Sequence, residues 1–264
     1  MRSRVTVMAA MLVLLFAGQL LSATIHVSGN TALTSNAEYD RNPSIAFDGT
    51  DYWLFYVKGD NTTTSGVRGG SYNPDADTYV VYYKTASSIA GLAGATETKL
   101  GLSDTSRPAN FDQRVVSAVY FNSKMYAFVS SGQSGTDRGL YYYVYSGGSW
   151  TGPTTLIADT GSPNRGGHVN VTNDASYIYI VWECTDGSSD AYTWDEATLS
   201  ARIDISTDNQ PKITLMGTTL YVVSIEDGTT DIEVYSAAAG ASPSFGAHST
   251  AIPSAGFYDP CIFN

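Results

Sequence analysis

One hairpin pattern recurs along the 264-residue chain. A tandem repeat constrains a fold more than composition does, because each copy must bury its faces against the next. The first copy, residues 42 to 56, reads NPSIAFDGTDYWLFY: a Pro-led apolar strand, a Gly-containing tight turn and an aromatic-rich strand. Residues 115 to 129 (VVSAVYFNSKMYAFV), 168 to 182 (HVNVTNDASYIYIVW) and 210 to 223 (QPKITLMGTTLYVV) repeat it, the third with a turn that looks one residue longer. A fifth copy opens at Asp259 with DPCIFN.

A third, Tyr-rich strand follows each of the first four hairpins, at residues 78 to 84 (TYVVYYK), 139 to 146 (GLYYYVYS), 190 to 194 and 230 to 236 (TDIEVYS). An outer segment is clearest at residues 149 to 157 (SWTGPTTLI). Four antiparallel strands per unit of roughly 40 to 50 residues describe a propeller blade, since a lone four-stranded sheet is marginal and stacking sheets around an axis buries both faces. A β-sandwich with chance hairpin similarity is the competing architecture. The expected fold is therefore all-β, a β-propeller over residues 24 to 264 with blades starting near 42, 115, 168, 210 and 259. At about 48 residues per blade the count is five with an incomplete last blade, unless the chain is a piece of a longer propeller.

Residues 1 to 23 are expected to be a secretory signal peptide: Arg2 and Arg4 precede an apolar run to about Leu21, followed by Ser22 and Ala23. An uncleaved anchor is the alternative, because the run approaches the roughly 18 apolar residues of a membrane span. Signal removal leaves 264 − 23 = 241 residues and moves the charge from −11 to −13, since two Arg depart and no acid does. No later stretch is long enough to span a bilayer, so a secreted or extracytoplasmic protein is expected. Cys184 and Cys261 sit in apolar strand patterns and are expected as buried free thiols. With 12% aromatics the chain is not disordered, and 25 acids against 14 bases argue against a nucleic-acid partner.

The first strand of every propeller blade lines the central channel, so equivalent strand starts form a ring at one mouth. That ring collects Asp40, Arg41 and Asn42 from the first unit, Asp112, Gln113 and Arg114 from the second, and Arg165 and His168 from the third. The fourth adds Asp208, Asn209, Gln210 and Lys212, and the last adds Tyr258 and Asp259. Arg41, Arg114 and Arg165 suit a carboxylate or sulfate through planar bidentate forks; they also suit bracing of the blades by Asp40, Asp112 and Asp208. His168 is compatible with a channel metal ligand or with a hydrogen-bonded ring. Residues 58 to 77 carry Asp60, Asp75 and Asp77 among Gly and Asn, compatible with a structural calcium or a plain solvated loop; no other cofactor is expected.

The segment RNPSIAFDGTDYWLFY, starting at Arg41, resembles the opening blade of family-43 arabinanases and xylosidases, which are five-bladed propellers. Its Arg41-Asn42-Pro43 start also resembles the Arg-x-Pro opening of the six-bladed sialidases, and SWTGP at residues 149 to 153 is a further shared feature. The resemblance implies a glycoside hydrolase-like protein with a carbohydrate partner. For family 43 it implies an inverting pair of carboxylates, one activating water and one protonating the leaving group. Carried onto this chain, the base position falls on Asn42, with Asp40 two residues earlier; a second carboxylate matches Asp112, and the acid position holds Gln210. The candidate catalytic residues are then Asp40, Asp112 and Asp259, with Arg41, Asn42, Arg114, Arg165, His168, Gln210 and Lys212 as candidate substrate binders. The expected function is a secreted glycosidase-like propeller that acts on or binds a polysaccharide at the channel mouth. The alternative is a non-catalytic propeller that binds a glycan or a protein there.

Overall fold

The computed structural model describes residues 33, 40–59, 79–100, 113–131, 139–158, 167–183, 189–206, 209–225, 231–247 and 249–252. They form four four-stranded antiparallel sheets, each a simple meander. Blade 1 contains β1 (Asp40–Phe47), β2 (Tyr52–Gly59), β3 (Tyr79–Ala86) and β4 (Thr98–Lys99); blade 2 contains β5 (Gln113–Phe121), β6 (Lys124–Ser131), β7 (Gly139–Ser146) and β8 (Ser149–Ala158). Blade 3 contains β9 (Val169–Asn173), β10 (Ile178–Glu183), β11 (Ser189–Trp194) and β12 (Ile203–Ser206); blade 4 contains β13 (Asn209–Met216), β14 (Thr219–Ile225), β15 (Ile232–Ala238) and β16 (Ser249–Ile252). The all-β propeller read from the repeat is the observed class. Four blades are described, and the segment assigned to the fifth lies outside the described residues. Among those residues no helix is long and apolar enough to cross a membrane.

The first strands are neighbours in chain order: β1 packs beside β5, β5 beside β9, and β9 beside β13. Between each pair of blades lies one apolar cluster. Ala46, Trp53, Phe55 and Val81 of blade 1 meet Val116, Ala118, Met125 and Tyr143 of blade 2. Tyr126, Phe128 and Leu140 meet Val171, Ile178, Ile180 and Trp194 of the third blade. Tyr179, Val181 and Ala191 meet Ile213, Leu220, Val222 and Tyr235 of the fourth. This explains why β10 reads IYIVWE with every residue buried: a middle blade is covered on both faces, so its strands lose the apolar–polar alternation of a half-exposed sheet.

A polar device runs through the same seams. Ser44 Oγ accepts the Ala118 N–H at 3.0 Å, Ser117 Oγ accepts the Val171 N–H at 3.1 Å, and Asn170 Oδ1 accepts the Ile213 N–H at 2.8 Å. Ser44, Ser117 and Asn170 hold one repeat position, and each acceptor satisfies an N–H of the next blade's first strand, which has no β-ladder partner on that side. The corresponding residue of blade 4 is Lys212, whose ammonium has donors only.

The turns between the first two strands come in two kinds. In blades 2 and 4 they are two-residue turns closing Phe121 on Lys124 and Met216 on Thr219. Asn122 and Ser123 both adopt positive φ, as a primed hairpin turn requires, and Gly217 does so in the other. In blades 1 and 3 four residues intervene, with Asp48 and Asp174 first in each. The third turn is thus not longer than the first, as the sequence alignment suggested; blades 1 and 3 share one turn type.

Candidate functional site

The mouth of the channel lies where the first strands begin, the second strands end and the third strands start. In blade 1 Arg41 pairs with Val57 and Ser44 with Phe55, so Asn42 and Pro43 form a bulge. Blade 4 repeats this: Asn209 pairs with Ile225 and Lys212 with Val223, leaving Gln210 and Pro211 bulged. Asn42 and Gln210 have φ of 49° and 55°, the left-handed region that non-glycine residues enter at a cost of order 1–3 kcal/mol. Such bulges end the ladder and re-aim a side chain, and they gather beside functional sites. In blade 2 the irregularity falls between Gln113 and Val115.

Blade 3 supplies a hydrogen-bonded His–Glu pair. Glu183, the last residue of β10, is buried, yet His168 at the strand opposite places Nδ1 3.0 Å from its Oε2. The same oxygen accepts the His168 backbone N–H at 3.5 Å and, from blade 4, the Gln210 N–H at 3.2 Å. The bulge of blade 4 therefore turns its N–H onto a carboxylate of blade 3. Burial pushes the Glu183 carboxyl up, but the hydrogen bond and charge of His168, joined by the two N–H donors, outweigh it and hold the carboxyl below its ordinary value. An ionised Glu183 only accepts, so His168 carries its hydrogen on Nδ1 in the pair and turns Nε2 away from it. The His168 side chain is 29% exposed against 8% for Glu183.

The residue before the pair is constrained in turn. A Cβ on Gly167 would overlap the Glu183 carbonyl, so only glycine lets the chain enter β9 at this height. A second buried carboxylate stands at the start of β11: Asp190, fully buried, accepts Arg202 Nε at 2.8 Å and the Tyr192 hydroxyl at 3.3 Å.

Of the residues expected at the mouth, Asn42, His168, Gln210 and Lys212 are described; Lys212 stands two residues further along β13 from the Gln210 bulge. Asp40, Arg41 and Arg114 have described backbone in β1 and β5, but their side chains lie outside the described set. Asp112, Arg165 and Asp259 lie wholly outside it, as do Asp60, Asp75, Asp77, Cys184 and Cys261. Among the described residues no group of three or more His, Cys, Asp or Glu is placed to hold a metal ion. His168 is hydrogen-bonded through Nδ1 to Glu183. Glu183 was missed, although the sequence carries a signal for it. A lone charge closing the apolar run IYIVW must be buried with its strand, and a buried charge needs partners.

Four meander sheets packed in series, with their first strands side by side, define a β-propeller. Solved structures agree. The catalytic domain of the Coprinopsis cinerea GH62 α-L-arabinofuranosidase matches with a TM-score of 0.53 at 14% identity, over 81% of this chain and 70% of that one. A family 117 glycoside hydrolase from Zobellia galactanivorans matches with a TM-score of 0.53 at 12% identity, over 82% and 71%. The Trypanosoma rangeli sialidase matches with a TM-score of 0.51 at 14% identity, over 78% of this chain and 37% of that one. At these identities the likeness is one of fold. No family model and no curated protein matches the sequence.

Proposed function

We propose that the protein is an exported, glycosidase-like propeller that engages a glycan at the channel mouth. The observation that carries this reading is the His168–Glu183–Gln210 arrangement. A buried carboxylate fixes the imidazole through Nδ1, so Nε2 is held at the mouth as an oriented partner for a sugar hydroxyl, at little entropic cost on binding. The bulged Asn42 and Gln210 supply amides, each both donor and acceptor, which match the mixed hydrogen-bonding of hydroxyls. The fold shared with arabinofuranosidase and sialidase structures supports the same ligand class. Export follows from the expected signal peptide at residues 1 to 23. Binding of the full mature chain to arabinose-, xylose- and sialic acid-bearing glycans, measured by calorimetry, should be lost in His168→Ala while the fold is kept. Equal binding by that variant, or none by the unchanged chain, overturns the reading.

Hydrolysis would draw on Asp40, Asp112 and Asp259. Release of reducing sugar by the unchanged chain, abolished in Asp112→Asn, supports it. One observation favours the non-catalytic form: Glu183 is held ionised, so it cannot protonate a leaving group, and the Asn42 and Gln210 positions are amides. Glycan binding without turnover is the outcome that form expects.

A further inference from the structure

Blade 1 comes first in the chain, yet its second and third strands are covered on the face turned away from blade 2. Leu54 of β2 is 3% exposed and Lys84 of β3 is 7% exposed, whereas Ile45 and Phe47 of the inner strand β1 are 48% and 49% exposed. The cover is local. Leu54 and Tyr56 pack with Leu92 of the 3-10 turn Ala90–Gly94, and Leu33 joins this cluster from a bend outside the sheets.

Lys84 shows what kind of cover this face takes. It stands opposite Leu54, as Tyr143 stands opposite Ala127, Tyr192 opposite Ile180 and Tyr235 opposite Val222. Those tyrosines hold one repeat position, and each is buried against the blade before it. In blade 1 the same position carries an ammonium, which burial makes costly unless acceptors meet it. Lys84 Nζ donates to the backbone carbonyl of Leu33 at 2.8 Å. Glu97 adds countercharge: burial pushes its carboxyl up, but Lys58 Nζ at 2.8 Å, the Tyr56 hydroxyl and the charge of Lys84 outweigh this and hold it below its ordinary value. A sheet laid on this face would have its inner carbonyls taken by its own ladders, whereas a single chain outside the sheets has carbonyls to offer. We propose that the face of blade 1 turned away from blade 2 is a docking site for the chain's own N-terminal segment, with Leu33 seated on Leu54, Tyr56 and Leu92 and its carbonyl clasped by Lys84. The segment is a strap in the place of a preceding blade: Lys84 grips main chain, and the Leu33 side chain supplies the apolar cover. Without the strap, β2 and β3 lose their protection before the other blades do. The inference stands apart from the glycan reading, because its test involves no ligand.

Amide hydrogen exchange of the full chain, followed by peptide mass spectrometry, tests this with blade 3 as the internal standard. Leu33→Asp, which puts a carboxylate among apolar side chains, should speed exchange in β2 and β3 at least about tenfold and leave β10 unchanged. Lys84→Met keeps the length of the side chain but removes the donor, and should speed exchange in the same two strands on the order of tenfold. Leu33→Ala is the milder variant and replaces Leu33→Asp if that chain does not fold. Unchanged exchange of β2 and β3 in a folded variant at either position overturns the proposal, because nothing then depends on the clasp. Equal acceleration in β10 also overturns it, because the contact then belongs to the common core and not to a strap on blade 1.

Discussion

Two kinds of carboxylate cage stand at opposite ends of the blades, built from similar donors. At the turn end, Asp48 Oδ1 accepts the Thr50 and Asp51 N–H groups at 2.8 and 2.7 Å, and Oδ2 accepts the Trp53 indole at 2.8 Å. Asp174 repeats this with Ser176, Tyr177 and the Tyr179 hydroxyl at 2.7, 2.8 and 2.6 Å. At the mouth, Glu183 also takes two N–H groups and one side chain, but on a single oxygen and from two blades. The turn cages draw every donor from within five residues, and their side-chain donors keep their protons: burial, then the bond to Asp174, pushes the Tyr179 hydroxyl above its ordinary range. The mouth cage couples neighbouring blades and holds a titratable ring in part-open solvent. One chemistry serves a local clamp in one place and a fixture between blades in the other.

The comparison predicts a ranking. Gly167→Ala should cost most, about 3 kcal/mol or more, because the overlap is with backbone that cannot rotate away; urea unfolding measures it. Glu183→Ala should follow at about 2–3 kcal/mol, since it removes a buried hydrogen-bonded carboxylate and strands the Gln210 N–H. Asp48→Ala and Asp174→Ala should each cost only about 1–2 kcal/mol, the worth of hydrogen bonds made within one turn. Equal costs at the two ends would erase the distinction between clamp and fixture. A smaller effect sharpens it. Glu183 has a folded-state value below the ordinary 4.5, so the stability it adds is present above that pH and drains away as pH falls through the lower folded value. Glu183→Gln should therefore flatten the acid limb of the stability profile below about pH 4.5.

The architecture was legible because a hairpin repeat leaves marks at every strand: Pro at β1 and β13, turn residues at a fixed offset, aromatics in the second and third strands. β11 reads weakly in sequence, since SDAYTW mixes Asp and Thr into a strand that is wholly buried; Asp190 is paired there with Arg202, from twelve residues away, and with the Tyr192 hydroxyl. The short outer strands β4 and β12 left no signal, for two or three ladder pairs need little pattern. At the site, repeat alignment placed His168 and Gln210 at one height but could not supply Glu183, which lies on a second strand and meets them only through pairing. The strained Asn42 and Gln210 were likewise invisible as such, because a bulge is a relation between two strands.

The seam bonds have a direction. Each acceptor reaches forward, from Ser44 to Ala118, Ser117 to Val171 and Asn170 to Ile213, while Asn170 also donates its Nδ2 to Ser117 Oγ at 3.5 Å. In the language of assemblies this is a head-to-tail interface, the same donor patch meeting the same acceptor patch at every step, and such contacts set a rotation rather than a number of copies. Blade number in this scaffold is then a matter of when the accumulated rotation returns to its start. Lys212, a donor at the acceptor position, makes the step beyond blade 4 chemically unlike the three before it, a seam keyed so that its side chain cannot make a fourth copy of the ordinary contact.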